Sequence, residues 1–286
     1  MRVLVTGAAG FLGRALCAQL EHEGHEVIAA GHDAAFPVDF RLLDLVADLF
    51  AETAPDSVVH LAGTSGPEAE DRGPVDVQTE NIVHPLLNVL EIAGSRRVLH
   101  VSTAAVYGVG STEESGPLRP TGLYGASRAS AEALALRRAA KFGQDLLVAR
   151  PFFLLGPDLP PNGGGGRWLV DHAAGRQPRV AGLARERDVL DVRDAARGLY
   201  RLLADGSSGF AYNLSSGRTA TLGGLVGLLC PGAAPIDVGL EANREPACLA
   251  GESKRLRELG WEPRIPFEET LASTSLRASA PRRTPR

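Results

Sequence analysis

The chain contains little lysine and cysteine, and it lacks long apolar runs. Lysine occurs only at Lys141 and Lys254, so arginine supplies almost all of the positive charge. The three cysteines are scattered along the chain, which argues against a disulfide framework and suits a reducing cytosol. No apolar run reaches the roughly 20 residues that a membrane span requires, and the N-terminus lacks the pattern of a signal peptide. We therefore predict a cytoplasmic protein that does not contact a membrane.

The charge and the histidine pattern exclude two further classes of partner. A formal net charge of −4 gives no reason to expect nucleic-acid binding. The 7 histidines form no ligand-spaced cluster with the cysteines, so we predict no metal site. His60 and His100 end apolar strands and are expected to be satisfied core residues rather than ligands. The expected partner is a small-molecule substrate.

Strand and helix patterns alternate through the first half of the 286-residue chain. Short apolar segments predict strands at residues 2–6, 26–30, 38–42, 57–61, 97–102 and 145–150. Longer periodic segments predict helices at residues 11–23, 45–53, 77–93 and 123–142. This alternation predicts an α/β fold, namely a Rossmann-like, doubly wound parallel sheet with helices on both faces.

A smaller C-terminal lobe is predicted to follow the dinucleotide-binding domain. The predicted dinucleotide-binding domain covers residues 1–155. Most of residues 156–277 are predicted to form the substrate-binding lobe, and some of their elements return to the first domain. The Pro/Gly-rich residues 156–166 are too many for an ordinary connector, so we expect a substrate lid there. The Pro- and Arg-rich tail, residues 278–286, is predicted to be disordered.

A glycine-rich loop lies between the first strand and the first helix. Gly7, Gly10 and Gly13 follow the spacing Gly-x-x-Gly-x-x-Gly. Glycine permits a tight turn and lets backbone N–H groups approach a diphosphate, which the positive end of the helix attracts. In this position between strand and helix, the loop predicts dinucleotide binding.

The end of the second strand bears on the choice between NADP and NAD. An NAD site usually has an acidic residue here for the ribose hydroxyls, whereas this chain has Gly31 followed by His32. Arg14, just after the third glycine, is a candidate for a 2′-phosphate, with a solvated helix residue as the alternative. We predict NADP, and NAD remains the alternative if Asp33 serves the ribose.

Two residues after the predicted third strand are candidates to flank the adenine. They are Asp44 and Leu45. An ordinary helix cap explains Asp44 equally well.

A tyrosine and an arginine lie four residues apart at the start of the helix predicted for residues 123–142. Tyr124 and Arg128 therefore face the same way and can reach one bound molecule. A phenol titrates near ~10, so it needs a neighbouring cation to exchange a proton at neutral pH. Arginine supplies that charge but cannot join a proton relay. Beside a nicotinamide ring, Tyr124 is a candidate acid or base for a carbonyl oxygen.

These segments together resemble the extended short-chain dehydrogenase/reductase family, which contains nucleotide-sugar epimerases, dehydratases and ketoreductases. The resemblance covers nearly the whole chain and rests on the order and spacing of several motifs. They are TGAAGFLG at 6–13, VVHLAG at 58–63, VSTAAVYG at 101–108, Tyr124, RPFFLLGP at 150–157, RDVLDV at 187–192, YNLSSG at 212–217 and LGWEP at 259–263. The chain departs from the family at Arg128, where the family has lysine, and at Phe153, where nucleotide-sugar enzymes commonly carry asparagine.

The resemblance implies roles for individual residues. Thr103 would hydrogen-bond the substrate oxygen, Tyr124 would be the general acid or base, and Arg128 would replace the lysine beside the nicotinamide ribose. The expected cofactor-binding residues are Gly7, Gly10, Phe11, Leu12, Gly13, Arg14, His32, Asp44, Leu45, Leu61, Ala62, Gly63, Asn81, Tyr124, Arg128 and Pro151. The expected substrate-binding residues are Thr64, Thr103, Tyr107, Phe153 and Arg187. For Arg187, the alternative is a surface ion pair with Glu186 or Asp188.

The resemblance implies an NAD(P)-dependent oxidoreductase that reduces a keto group of a nucleotide-activated sugar or similar metabolite. A sugar epimerase of the same family is the first alternative. Dehydration is the weakest option because Ala104 and Ala105, rather than an acid–base pair, follow Thr103. A cofactor-binding protein without redox turnover is the other alternative, and Arg128 motivates it. The resemblance also implies a homodimer through the helices at residues 77–93 and 123–142.

Overall fold

Helices and strands alternate along the chain, and the computed structural model describes residues 1–63, 75–239 and 246–277. The strands are β1 (Arg2–Thr6), β2 (Glu26–Ala30), β3 (Ser57–His60), β4 (Arg97–Val101), β5 (Leu146–Pro151), β6 (Phe153–Leu155), β7 (Arg179–Val180), β8 (Glu186–Asp191), β9 (Ala211–Leu214), β10 (Thr219–Thr221), β11 (Ile236–Asp237) and β12 (Cys248–Leu249). The helices are α1 (Phe11–His22), α2 (Leu43–Thr53), α3 (Val75–Gln78), α4 (His84–Ala93), α5 (Leu123–Phe142), α6 (Gly164–Ala173), α7 (Val192–Asp205), α8 (Leu222–Leu229), α9 (Lys254–Glu258) and α10 (Phe267–Ser273). A π-helical turn covers Thr79–Val83, and a 3-10 turn covers Ala104–Val106.

Six parallel strands form the central sheet, in the order β2-β1-β3-β4-β5-β9. Side chains alternate between its two faces, as the pleat of a strand requires. Val3 and Val5 pack in the core that α1 and α7 cover, whereas Leu4 packs in the core that α2, α4 and α5 cover. The predicted doubly wound parallel sheet is confirmed.

A smaller sheet lies in the C-terminal half, where β8 pairs with β10, β12 and β6. Its core includes Leu155, Trp168 and Leu225, so α6 and α8 cover it. Two other elements from the C-terminal half belong instead to the central sheet and the helix layer that covers it. Strand β9 pairs with β5, and α7 shares a hydrophobic core with α1.

The strand predicted at residues 38–42 is wrong. After β2 the chain makes only an isolated bridge between Ala30 and Phe36 and then continues as a loop. Pro37 follows that bridge and has no N–H to extend a ladder. The loop therefore crosses the end of the sheet, which changes the residues that face the cleft described below.

Two other segments differ from their predicted forms. The helix predicted at residues 77–93 contains the π-helical turn, because Pro85 cannot donate an N–H to the carbonyl of Asn81 four residues earlier. The predicted lid at residues 156–166 contains the start of α6, which begins at Gly164. The tail at residues 278–286 lies outside the described residues. Of the helices that the structure describes, none is long and apolar enough to cross a membrane.

Candidate functional site

A single cleft of about 760 Å³ runs along the carboxyl ends of the central strands and continues against the C-terminal lobe. In a parallel sheet these strand ends meet at one edge, and the loops that follow them form the crevice where ligands bind. Gly10, Leu12 and Thr103 line its middle, Arg41 one end, and Phe153 the other.

The glycine loop requires glycine for steric reasons at two positions. Gly7 has φ +67°, and a Cβ atom there would lie 2.9 Å from the Ala62 nitrogen. A Cβ atom on Gly13 would lie within 3 Å of two carbonyl oxygens of the same loop. Gly10 is the N-cap of α1, and the first turn of this helix contains no acidic residue. This tight loop at a positive helix end fits the diphosphate of a dinucleotide.

Thr6 holds the next segment of the cleft wall in place. Its hydroxyl accepts hydrogen bonds from the backbone N–H groups of Leu61 (3.1 Å) and Ala62 (3.0 Å). It lies 2.9 Å from Nδ1 of His60. Because the hydroxyl already accepts two bonds, its proton goes to Nδ1. Leu61, Ala62 and Gly63, which the sequence analysis assigned to the cofactor, all line the cleft.

His60 and His100 lie side by side behind this wall, with ring centroids 5.7 Å apart. Burial, together with the charge of Arg128, lowers the pKa of His60 to about 3. Burial, His60 and Arg128 lower the pKa of His100 well below its usual value. Both histidines are core residues, as predicted. Neither is fully satisfied, because within the described part of the chain Nε2 of His60 and both ring nitrogens of His100 have no hydrogen-bond partner.

The loop that replaces the predicted third strand lines one end of the cleft. Asp39, Phe40 and Arg41 face the cavity there, next to Gly31 and His32. Arg41 donates hydrogen bonds of 2.6 to 3.1 Å to the Asp39 carboxylate, and these bonds lower the pKa of Asp39 to about 2.

Asp44 and Leu45, the adenine-flanking candidates, are not brought to the cleft in this structure. Both are exposed in the first turn of α2 and lie outside the cleft lining. The prediction assumed a strand at residues 38–42, whereas the loop there brings Asp39 and Phe40 to the cleft. An aspartate followed by a bulky apolar residue, at Asp39 and Phe40, was the available signal.

Arg14, the candidate for a 2′-phosphate, bonds to backbone carbonyl groups in this structure. Its guanidinium donates to the carbonyl oxygens of Ala9 (2.6 Å) and Asp158 (2.8 Å) and does not line the cleft. It ties the glycine loop to the loop after β6.

The predicted catalytic residues meet in the middle of the cleft. Thr103 and Tyr124 both line it, Thr103 from the end of β4 and Tyr124 from the first turn of α5. The Thr103 hydroxyl accepts a hydrogen bond from the Ala105 N–H (3.2 Å). Tyr124 is mostly buried, so little of its phenol is left to bulk water.

Arg128 lies beneath Tyr124, with 4% of its surface exposed. Its guanidinium carbon is 5.5 Å from the centre of the Tyr124 ring, a cation–π distance. Its Nη1 group lies 3.4 Å from the Val101 carbonyl, and its Nη2 atom borders Gly63. The cation thus approaches the face of the ring and joins the ends of β3 and β4.

Asn81 and Pro151 also line this part of the cleft. Asn81 lies in the π-helical turn, and its amide donates to the Val77 carbonyl (2.6 Å). Phe11, from the glycine loop, completes the wall that the sequence assigned to the cofactor.

The far end of the cleft is mostly apolar in the part of the chain that the structure describes. Phe153 stacks on Trp168 with ring centroids 6.2 Å apart, and Leu159 and Pro160 border it. Sequence analysis did not anticipate several lining residues there, which are Thr121, Gly122, Phe152, Leu154, Leu159, Pro160, Pro246 and Leu249. They come from loops and from the short strands β6 and β12, whose positions only the tertiary fold defines.

Arg187 brings a positive charge to this apolar end. It is buried in the cleft wall and donates to the carbonyl oxygens of Glu186 (2.8 Å) and Pro246 (3.2 Å). Thr64, another predicted substrate residue, lies outside the described residues.

Tyr107, a substrate-binding candidate, is not brought to the cleft in this structure. It has no exposed surface and lies outside the cleft lining. Its hydroxyl donates to Oδ1 of Asn213 (2.7 Å) and accepts from Nη1 of Arg150 (2.9 Å). The residue is directed into the protein by these bonds.

No group of three or more potential metal ligands is present within residues 1–63, 75–239 and 246–277.

The comparisons with known proteins agree with this geometry. A family model described as the NAD dependent epimerase/dehydratase family matches residues 3–215. The chain belongs to this family. It is therefore an enzyme of the extended short-chain dehydrogenase/reductase type and has a nicotinamide cofactor site.

Relatives of this enzyme include both reductases and epimerases. The GDP-6-deoxy-D-mannose reductase of Pseudomonas aeruginosa is 34% identical over 94% of each chain. The UDP-glucose 4-epimerase of Halalkalibacterium halodurans is 27% identical, over 95% of this chain and 93% of its own.

Among solved structures, RMD from Pseudomonas aeruginosa complexed with NADPH has a TM-score of 0.82 at 28% identity, over 95% of this chain and 96% of its own. The Thermus thermophilus UDP-glucose 4-epimerase complexed with NAD has a TM-score of 0.84 at 26% identity, over 96% of this chain and 97% of its own.

Proposed function

We propose that this enzyme is a reductase for a keto group of a nucleotide-activated sugar or similar small metabolite. The observation that carries the proposal is the meeting of Thr103 and Tyr124 in one cleft with the glycine loop. Two hydroxyls on one side of a dinucleotide site can bind a single carbonyl oxygen. The 34% identity to a GDP-6-deoxy-D-mannose reductase supports reduction over epimerisation.

The chain's own residues would orient the substrate and supply a proton. A bound nicotinamide supplies hydride chemistry at the carbonyl carbon. Thr103 would donate a hydrogen bond to the carbonyl oxygen, and Tyr124 would give that oxygen its proton. Arg128 would stabilise the phenolate that remains, because its charge lies over the ring. Closure by the surrounding apolar walls would keep water from the reacting atoms.

We propose NADPH as the preferred cofactor, with NADH as the alternative. Gly31 supplies no carboxylate for a ribose, and its φ of +145° disfavours any side chain there. His32 and Arg41 are exposed on the cleft at the same end, where a 2′-phosphate would lie. These two residues take over the role first assigned to Arg14.

The substrate end favours a ligand with both an apolar part and an anionic group. Arg187 is suited to one phosphate of a nucleotide-linked sugar, since a guanidinium offers paired donors. Phe153 would contact an apolar or planar part of the same ligand. A non-sugar keto substrate is therefore the other substrate class that these walls admit.

Turnover with a panel of nucleotide-linked keto sugars tests the proposal. The absorbance of NADPH, followed without oxygen, should fall with at least one of them. Tyr124→Phe should lower kcat about 1000-fold while leaving the Kd for NADPH within a factor of about 2, because only proton donation is lost. A Tyr124→Phe enzyme with unchanged kcat would contradict the proposed role.

A second candidate is a cofactor-binding protein without redox turnover, and the position of Arg128 favours it. The guanidinium stacks on the ring of Tyr124, and it cannot give up a proton. Tight NADPH binding without turnover, together with turnover that appears in Arg128→Lys, would support this candidate.

We also propose a homodimer through α4 and α5. Leu134 and Phe142 of α5 are exposed apolar side chains, which a partner subunit would cover. Light scattering at micromolar concentration should give twice the mass of the 30.1 kDa chain, and a monomeric mass would refute the dimer. A location in the cytoplasm stays a prediction.

A further inference from the structure

A buried ion pair lies one helical turn beyond Arg128. Arg150, near the carboxyl end of β5, donates three hydrogen bonds of 2.6, 3.1 and 3.2 Å to the carboxylate of Glu132 on α5. Arg150 is 4% exposed and Glu132 is 1% exposed. Neither residue lines the cleft. The pair therefore does something other than bind the substrate or the cofactor directly.

Glu132 belongs to the same helical stripe as the catalytic candidates. Tyr124, Arg128 and Glu132 are spaced by four residues on α5, so they lie one above the other on one face. A fixed position for Glu132 therefore fixes the rotation and height of the helix at Tyr124.

Arg150 also contacts the element that carries Thr103. Thr103 comes immediately before the 3-10 turn, and Tyr107 comes immediately after it. The Tyr107 hydroxyl accepts a 2.9 Å bond from Nη1 of Arg150 and donates a 2.7 Å bond to Asn213. One guanidinium thus bonds to residues from both elements that bring a hydroxyl into the cleft.

The charges and protons of this network are well defined. Burial raises the pKa of Tyr107, so its phenol keeps the proton that it donates. Burial alone would lower the pKa of Arg150, but its bonds to Glu132 outweigh that effect and raise it. A guanidinium is planar, so its donors point in fixed directions and transmit orientation as well as charge.

We propose that Arg150 is a positioning residue that, through Glu132 and Tyr107, holds the Thr103 and Tyr124 hydroxyls at the spacing that one carbonyl oxygen requires. This inference rests on the proposed function. It assigns Tyr107 a role in the protein interior instead of the substrate contact expected from sequence. The network continues to the C-terminal lobe, because the Asn213 amide donates to the carbonyl oxygens of Thr112 (2.8 Å) and Glu252 (3.2 Å).

Tyr107→Phe is the mildest test because it removes one hydroxyl and leaves the ion pair intact. Tyr212→Phe is the matched control. Tyr212 is also buried, is next to Asn213 on β9, and its hydroxyl accepts a 2.7 Å bond from the Ser207 N–H. Both variants lose a buried phenol hydrogen bond, but only Tyr107 connects to the Thr103 turn.

The measurements are kcat per NADPH-binding molecule, KM for the best keto sugar of the panel, and the Kd for NADPH. Tyr107→Phe should lower kcat about 10-fold and leave KM and Kd within a factor of about 2, since misplaced reacting groups slow chemistry without losing contacts. Tyr212→Phe should lower thermal stability without changing kcat. Arg150→Lys, which keeps the charge but loses the planar donors, should lower kcat further.

Equal kcat values for Tyr107→Phe and Tyr212→Phe would overturn the inference. Loss of NADPH binding in Tyr107→Phe would also overturn it, because the network would then support the whole fold. Failure of the proposed function has a different signature, namely a Tyr124→Phe enzyme with normal kcat. If Tyr124→Phe is inactive and Tyr107→Phe is normal, the positioning role alone is wrong.

Discussion

Arg41 and His32 are the residues through which cofactor preference can be tested one side chain at a time. Arg41 is exposed and held against Asp39, so it can turn toward an added phosphate without rearranging the fold. Arg41→Ala should raise the Kd for NADPH about 10-fold, because a charge-assisted hydrogen bond to a phosphate is lost. The Kd for NADH should stay unchanged. Fluorescence titration measures both, and an equal rise for the two cofactors would refute a 2′-phosphate contact.

Individual residues were predictable from sequence where the local motif fixes the backbone. The glycine loop, Thr103, Tyr124 and Arg128 all line the cleft, because each lies within a few residues of a strand end. Arg14 and Tyr107 lie outside the cleft lining, and sequence could not show this, since the directions of their side chains depend on partners distant in sequence. Arg14 bonds to Asp158, and Tyr107 bonds to Arg150 and Asn213.

Helix α5 packs so closely on the 3-10 turn that one of its positions tolerates only glycine. A Cβ atom on Gly125 would lie 2.6 Å from the Ala105 carbonyl oxygen and 3.1 Å from Cβ of Pro120. Alanine is the better helix former by about 1 kcal/mol, but this overlap with the backbone outweighs it. Gly125→Ala should therefore lower both stability and kcat, as thermal unfolding and turnover would show.

Gly227 of α8 provides the matched control for that substitution. Nothing lies within 4 Å of the Cβ atom that alanine would add there. Gly227→Ala should stabilise the enzyme by about 1 kcal/mol without changing kcat. Equal effects of the two substitutions would mean that close packing of α5 does not limit the site.

Elements were predictable where one local pattern decides them, and α5 lies at its predicted residues 123–142. The helix predicted at residues 77–93 illustrates the limit. The apolar period of this segment gave no sign of a π-helical turn. That turn depends on Pro85, and it lies so close to Gly63 that a Cβ atom there would contact the Asn81 carbonyl oxygen. The strand predicted at residues 38–42 has suitable apolar residues, but β2 is an edge strand and the chain after Phe36 does not pair with it.

At the scale of the whole molecule, alternating strands and helices predicted the parallel sheet, since each crossover is local. Helix α7 and strand β9 come late in the chain but pack with the central sheet, so no local pattern predicts their position. Strand β9 adds to β5 through pairs such as Arg150 with Asn213. That pairing brings the buried network together, and no periodicity within either strand encodes it.

The two buried histidines predict how the stability of the whole molecule depends on pH. Histidine titrates near ~6.5 in the unfolded chain. Burial lowers the pKa of His60 to about 3, so its ring stays neutral above that pH. The pKa of His100 is also well below the usual value. Below pH ~6.5 only the unfolded state gains these protons, so their contribution is complete above that pH and declines as pH falls. Each histidine should lower the free energy of unfolding by about 2 kcal/mol as the pH falls from 6.5 to 5.

His100→Leu isolates one of these contributions. Denaturant unfolding of the variant and the natural enzyme at pH 7 and pH 5 gives the difference directly, and the carboxylates shared by both chains cancel. The natural enzyme should lose about 2 kcal/mol more than the variant over this range, because leucine takes up no proton in the unfolded state. Identical losses would show that His100 is protonated in the folded enzyme, next to Arg128, or that its ring reaches water.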